Sequence, residues 1–203
     1  MLDHVAELTA AIDVPLNVDS EQCFGDTPSD IAATVRAIAD RGAAGFSIED
    51  FNPASGEVDP IEIATERVAA AAEGARASAN PMVLTARAES HLYGGDDLDD
   101  TISRLTAFRA AGADVVYAPG LTEIDDIRRV VDEVGIPVNV LAWPKAPTVA
   151  ELASIGVRRV STGGALAWAA LGTLADAGRE LLERGTYGYF DQALRPDDRR
   201  ALE

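Results

Sequence analysis

Residues 15–25 read PLNVDSEQCFG. An apolar run over 15–18 ends in two acids, Asp19 and Glu21, and then in Gly25. This reads as a buried strand whose carboxyl end carries two carboxylates spaced i, i+2. Side chains two apart in a strand point to one face, so Asp19 and Glu21 converge if the extended backbone persists through Ser20. Like charges held together repel, and burying them is costly without a proton or a cation. A divalent metal is the usual compensation, and hard oxygen ligands suit Mg²⁺ or Mn²⁺. The plain alternative is a solvated loop after a strand, where acids are common.

Working outward, the same unit recurs. Residues 2–11 read as a helix with Leu2, Val5 and Leu8 on one face. Thr27, Pro28 and Asp30 give an N-cap, a proline at N1 and an acid at N3 for a helix that Gly42 stops. Strands are expected at 15–19, 45–48, 81–85, 113–117, 137–141 and 157–161. Helices fill the gaps: one from Asp59-Pro60-Ile61-Glu62 to about Ser78, one over 97–111, one opened by Thr122 and Asp125, and one opened by Thr148 and Glu151. Loops are expected at 51–59 and 90–96. A long apolar helix runs over 165–184, a turn follows at 185–190, and a charged, frayed tail follows Pro196.

Strand and helix therefore alternate six times with short connections, the pattern of parallel βα units. The strands are Val/Ile/Leu runs, as expected where both faces are buried. Polar residues cluster after the strands, at their carboxyl ends, where β/α folds keep their sites. A doubly wound sheet accommodates six strands, but no GxGxxG or P-loop follows the first. A (β/α)₈ barrel carries acids, Arg and Gly-Gly at successive strand ends, yet it needs eight strands and usually about 250 residues.

Composition narrows the function. The chain has 203 residues, 47% hydrophobic, enough for one globular core. A net charge of −17 with no basic, aromatic-rich patch argues against nucleic acid and anionic membrane as partners. Cys23 is the single cysteine, so no disulfide framework or Cys-rich zinc site is expected. No apolar run spans a bilayer, and residues 1–15 lack the basic and apolar regions of a signal peptide. A cytoplasmic location is the expectation.

Taken in order, VDSEQCFGDTP, GFSIED, LTARAESHL, VVYAPGLT, IPVNVL and VRRVSTGGALAWAALG resemble the isocitrate lyase/phosphoenolpyruvate mutase superfamily. The resemblance runs through nearly the whole chain. It implies a (β/α)₈ TIM-type barrel in which these are the third to eighth strands. The first two βα units would be absent, residues 1–203 would be a single partial barrel domain, and a C-terminal helix would serve oligomerisation. It implies an enzyme acting on C–C or P–C bonds of a small α-keto or 2-hydroxy acid. Asp19 would be the direct Mg²⁺ (or Mn²⁺) ligand, with Glu21 and Glu49 holding metal-bound waters. Arg87 would clamp a carboxylate or phosphonate, for which its planar fork is suited. Arg87 and Glu49 would be the catalytic pair, and Asn139 and Ser161 would hydrogen-bond the substrate.

Lyases of that family carry a Cys in the loop after the Glu-Asp strand, and mutases and hydrolases a Lys. Residues 51–59 carry neither. Cys23 occupies the usual Gly position of the metal motif. A non-catalytic or truncated homologue that binds a small carboxylate without turnover is therefore the alternative. Arg87 could equally close a salt bridge at the strand ends, with Glu89 as its partner. His91, on the loop after that strand, is a candidate acid or base but reads better as a surface histidine. Gly163-Gly164 could cradle a phosphate but reads better as a tight turn. The last helix is apolar almost all round, which predicts burial, in a one-domain chain against another subunit, and so a homo-oligomer, a dimer or tetramer.

Overall fold

The computed structural model describes residues 1–200. They fall into two units, Met1–Ser161 and a second from Thr162 onward. In chain order the first unit holds α1 (Leu2–Ala11), β1 (Asn17–Asp19), α2 (Pro28–Ala39), β2 (Gly45–Glu49), a small hairpin of β3 (Phe51–Asn52) and β4 (Glu57–Val58), and α3 (Ile61–Arg76). Then come β5 (Val83–Arg87), a 3₁₀ turn (Ser90–Tyr93), α4 (Leu98–Ala111), β6 (Val115–Tyr117), α5 (Ile124–Val134), β7 (Val138–Leu141), α6 (Val149–Ser154) and β8 (Arg159–Ser161).

Six strands pair in parallel in the order β1-β2-β5-β6-β7-β8. Every neighbour is the next large strand in the chain. A doubly wound sheet reverses direction at a switch point, and this one does not. The winding is that of a β/α barrel wall. The wall is also curled. In a flat sheet β5 and β8, three strands apart, would lie about 14 Å from each other. Yet Arg159 Nη1 donates to Thr85 Oγ1 at 3.1 Å.

Capping follows local sequence at three helices, and at α4 Asp97 Oδ1 accepts from Asp100 N at 3.0 Å. Thr27 and Asp30 form a reciprocal capping box on α2, as do Thr148 and Glu151 on α6. At α3 and α5 it does not. The expected cap at Asp59 is not made; Pro60 is the N-cap of α3 and offers no side-chain bond. The expected Thr122 cap is likewise absent, and Glu123 begins α5 without a side-chain bond. Helices α2 and α3 approach closely at Gly74, where an added Cβ would lie 2.9 Å from the Ala32 backbone.

The strands are not the uninterrupted Val/Ile/Leu runs expected, although much of both faces is buried, including Ser47, Thr85, Tyr117 and Asn139. Val18, Phe46, Ile48, Leu84, Ala86, Val116, Val138 and Val140 share one buried core with helix residues such as Ile31, Val35, Leu105, Phe108 and Val130. The alternate positions include Val83, Val115 and Leu141 but are mostly polar, with Asp19, Ser47, Glu49, Thr85, Arg87, Tyr117, Asn139, Arg159 and Ser161 giving the other face a polar lining. Period-2 alternation places all of them on that face.

In the second unit α7 (Ala165–Arg184) has no buried residue, and Leu166, Trp168, Leu171 and Leu174 are each more than half exposed. A 3₁₀ turn (Gly188–Gln192) and a short α8 (Pro196–Arg200) follow, the latter where a frayed tail was expected; residues 201–203 lie outside the described residues. Among the described residues no helix is long and apolar enough to cross a membrane.

Candidate active site

The site is built where three adjacent strands end. Register pairs Asp19 with Ser47 and Glu49 with Arg87. Arg87 spends all three of its nitrogens on carboxylates. Its Nη1 donates to Asp19 Oδ1 at 2.9 Å, its Nη2 meets Glu49 Oε2 at 3.1 Å, and its Nε donates to Glu89 Oε1 at 2.7 Å. Ser47 Oγ adds a second bond to Asp19 Oδ1 at 3.0 Å. Asp19 Oδ2 is left without a protein donor among the described residues, and its side chain is 69% exposed, against 11% for Glu49 and 2% for Glu89.

Glu21 reaches the site by a different route from the one the strand pleat suggested. Strand β1 stops at Asp19, and Glu21 takes left-handed backbone at φ +46°. The i, i+2 argument therefore does not apply. A tight turn instead sets the Glu21 backbone against the end of β2, where its carbonyl accepts from Glu49 N at 2.9 Å.

Negative charge exceeds positive charge here. Burial raises the Glu49 pKa to about 7; Arg87 opposes the rise, and Glu89, Asp19 and Glu21 add to it. Glu89 is raised as well, mainly by burial. Burial disfavours the Arg87 charge, but Glu89, Glu49 and Asp19 more than offset this and hold the guanidinium ionised.

Beside this cluster lies a neutral polar ladder. The Arg87 guanidinium sits 5.6 Å from the centre of the Tyr117 ring. Tyr117 Oη lies 3.4 Å from Ser161 Oγ, and Asn139 Nδ2 donates to the same oxygen at 3.0 Å. Asn139 Oδ1 is buried with no protein partner. A buried carbonyl without a donor costs free energy, so it suits a water or a ligand N–H or O–H. Tyr117 was not singled out in the sequence; its parity with Arg87 and Asn139 across β5, β6 and β7 is the signal that finds it.

Other candidates fall elsewhere. His91 Nε2 lies 2.9 Å from Thr101 Oγ1, packed against α4, and burial lowers its pKa. Cys23 is fully buried, and that burial pushes its thiol up to about 11.

No three His, Cys, Asp or Glu side chains among the described residues converge as a ready cluster of metal ligands. The carboxylates close on Arg87 instead. The donor set nonetheless fits a hard divalent cation: oxygen ligands only, surplus negative charge around Glu49, and one exposed carboxylate oxygen on Asp19.

A parallel, singly wound β/α wall with charged groups at its strand carboxyl ends is the architecture of a barrel enzyme. A family model described as phosphoenolpyruvate phosphomutase matches residues 1–182, and the chain belongs to that family, within the PEP mutase/isocitrate lyase superfamily. It is 30% identical over 176 residues to an oxaloacetate decarboxylase of Paraburkholderia xenovorans, covering 84% of this chain and 55% of that one. It is 31% identical over 169 residues to a 2-methylisocitrate lyase of Salmonella typhimurium, covering 77% and 56%. The chain thus spans little more than half the length of these curated relatives. A solved structure from Burkholderia cenocepacia J2315, provisionally assigned as a lyase/mutase, is 47% identical with a TM-score of 0.92, covering all of this chain and 74% of that one.

Proposed function

We propose that this chain carries the active site of a Mg²⁺-dependent lyase, mutase or hydrolase. Its reaction would be on a C–C or P–C bond of a small α-keto or 2-hydroxy acid. The observation that supports this best is the single guanidinium of Arg87 held among Asp19, Glu49 and Glu89 at adjacent strand ends. Relatives named oxaloacetate decarboxylase and 2-methylisocitrate lyase favour the same class of small acid. The six strands would be the third to eighth of an eight-stranded barrel.

In this reading Asp19 holds the cation directly, and Glu21 and Glu49 stand behind it. A divalent cation there would stabilise negative charge developing on an enolate or keto oxygen. Arg87 is preorganised by Glu89 and Glu49 and exchanges its exposed partner, Asp19, for the substrate's carboxylate or phosphonate. Asn139 Oδ1 and Ser161 Oγ fix the substrate's polar groups on the other side. Glu49 titrates near neutral pH and so can take up or release a proton during turnover. The exposed apolar side chains of α7 dock on a second copy of the chain, giving a homo-oligomer.

A second reading rests on the hairpin Phe51–Val58, which carries neither Cys nor Lys. Under it the chain binds a small carboxylate without turnover. The experiment is a turnover screen of oxaloacetate, 2-methylisocitrate and phosphonopyruvate with Mg²⁺, run on wild type, Asp19→Ala and Arg87→Ala. Activity lost in both variants supports the enzyme. Binding without turnover in the wild type supports the second reading, and unchanged activity in both variants ends these assignments.

A further inference from the structure

Asp59 is an expected helix cap that the structure uses otherwise. Its side chain is buried, although a carboxylate is costly to bury without hydrogen bonds. Both its oxygens are occupied by amides from different segments. Gln22 Nε2 donates to Oδ2 at 3.2 Å, and Asn52 Nδ2 donates to Oδ1 at 3.1 Å. Gln22 belongs to the turn after β1, next to Glu21; Asn52 belongs to the hairpin β3/β4 that follows Glu49 and Asp50. Arg104 of α4 fixes Asp59 from behind, since its Nη1 donates to the Asp59 carbonyl at 2.8 Å while also meeting Asp50 Oδ2 at 3.2 Å.

The two segments joined in this way otherwise face each other across a gap. A pocket of about 360 Å³ lies between them, lined by Glu21, Gln22, Phe24, Asn52, Ala54 and Arg67. The turn has left-handed backbone at Glu21, Cys23 and Phe24, a conformation unfavourable for side-chain-bearing residues. Arg67 of α3 holds it, with Nη2 donating to the carbonyls of Gln22 and Gly25 at 3.0 and 2.9 Å. A group that accepts on both oxygens is what two amide donors require at that place.

We propose that Asp59 is the joint that couples the Glu21-bearing turn to the hairpin Phe51–Val58, and that Asp59, Gln22 and Arg104 are positioning residues for the site. A cation seated at Asp19 and Glu21 then orders the hairpin through Gln22 and Asp59. The transmission rests on the metal reading above; the joint itself does not.

The test is amide hydrogen exchange on the full chain, without metal and with Mn²⁺ alone. The reporters are Gly56 N and Asp59 N, which donate to Asn52 O and Asp50 O, both at 2.8 Å. Gln22→Leu changes no residue of the hairpin. In metal-free protein it speeds both reporters about tenfold, as Asn52→Leu does from the other side, and by more than it speeds the amides of α5, which does not touch the joint. Unchanged reporter exchange in Gln22→Leu overturns the joint. Mn²⁺ slows the reporters in wild type and no longer does so in Gln22→Leu; slowing that persists there overturns transmission through Asp59. Failure of Mn²⁺ to bind the wild-type chain, read from its electron paramagnetic resonance signal, overturns the metal reading, while the metal-free comparison still decides the joint.

Discussion

Glu49 and Arg87 lie opposite each other in register on adjacent parallel strands, and their side chains meet at 3.1 Å. Removing Arg87 leaves Glu49 without a cationic partner, whereas removing Glu49 leaves Arg87 still paired with Asp19 and Glu89. Arg87 additionally neutralises Glu89, which is almost fully buried.

Arg87→Ala leaves two buried carboxylates without a partner. Breaking such a pair costs about 3–5 kcal/mol, so urea unfolding is expected to show a loss of that order. Arg87→Lys retains the charge but not the three-way fork, so it recovers much of the stability and little of the ligand affinity. Urea midpoints beside substrate titrations separate the two effects.

Glu49 makes stability depend on pH. Its folded pKa, about 7, is above its ordinary 4.5, so the folded state binds the extra proton between those values. Stability from this group is complete below about pH 4.5 and is lost as the pH rises through about 7. Urea unfolding across that window is expected to show a downward slope in wild type and a flatter one in Glu49→Gln. Mg²⁺ affinity changes in the opposite sense and tightens above pH 7, because the ionised carboxylate attracts the cation and accepts from its bound waters.

Cys23 is expected to be inert. With its thiol pushed up to about 11 by burial, about one molecule in a thousand is thiolate at pH 8. Reaction with a disulfide reagent at pH 8 should be undetectable over minutes in the native protein and complete in urea. Fast native labelling would show that the turn opens.

Trp168 and Leu171 are exposed on α7, one helical turn apart. Replacing both with Glu is expected to shift the protein from a dimer or tetramer to a monomer in light scattering, with far-ultraviolet circular dichroism unchanged. A wild-type monomer would refute the proposed role of this helix.

The βα units were legible because each is local. Apolar runs, Thr-x-x-acid caps and terminal glycines act within a few residues, and α2 and α6 begin where those signals lie. The sequence misled where distant groups compete for a side chain. Asp59 is a good helix cap by spacing, yet Gln22 and Asn52 take its oxygens. Asp19 and Glu21 were expected to converge along a strand pleat, but the backbone turns left-handed at Glu21, whose carbonyl bonds Glu49 N and whose charge raises the Glu49 pKa. Tyr117 gave no local signal, since only register between β5 and β6 places it beside Arg87.

The order of residues by itself determined the repeating βα units, their parallel arrangement and the acids and Arg at their ends, because hydrophobic period and capping are short-range properties. Only the tertiary structure decided which charges meet. Pairing sets β1, β2 and β5 side by side in register so that one guanidinium serves three carboxylates, and the strength of such contacts depends on distance and burial, which no local pattern encodes.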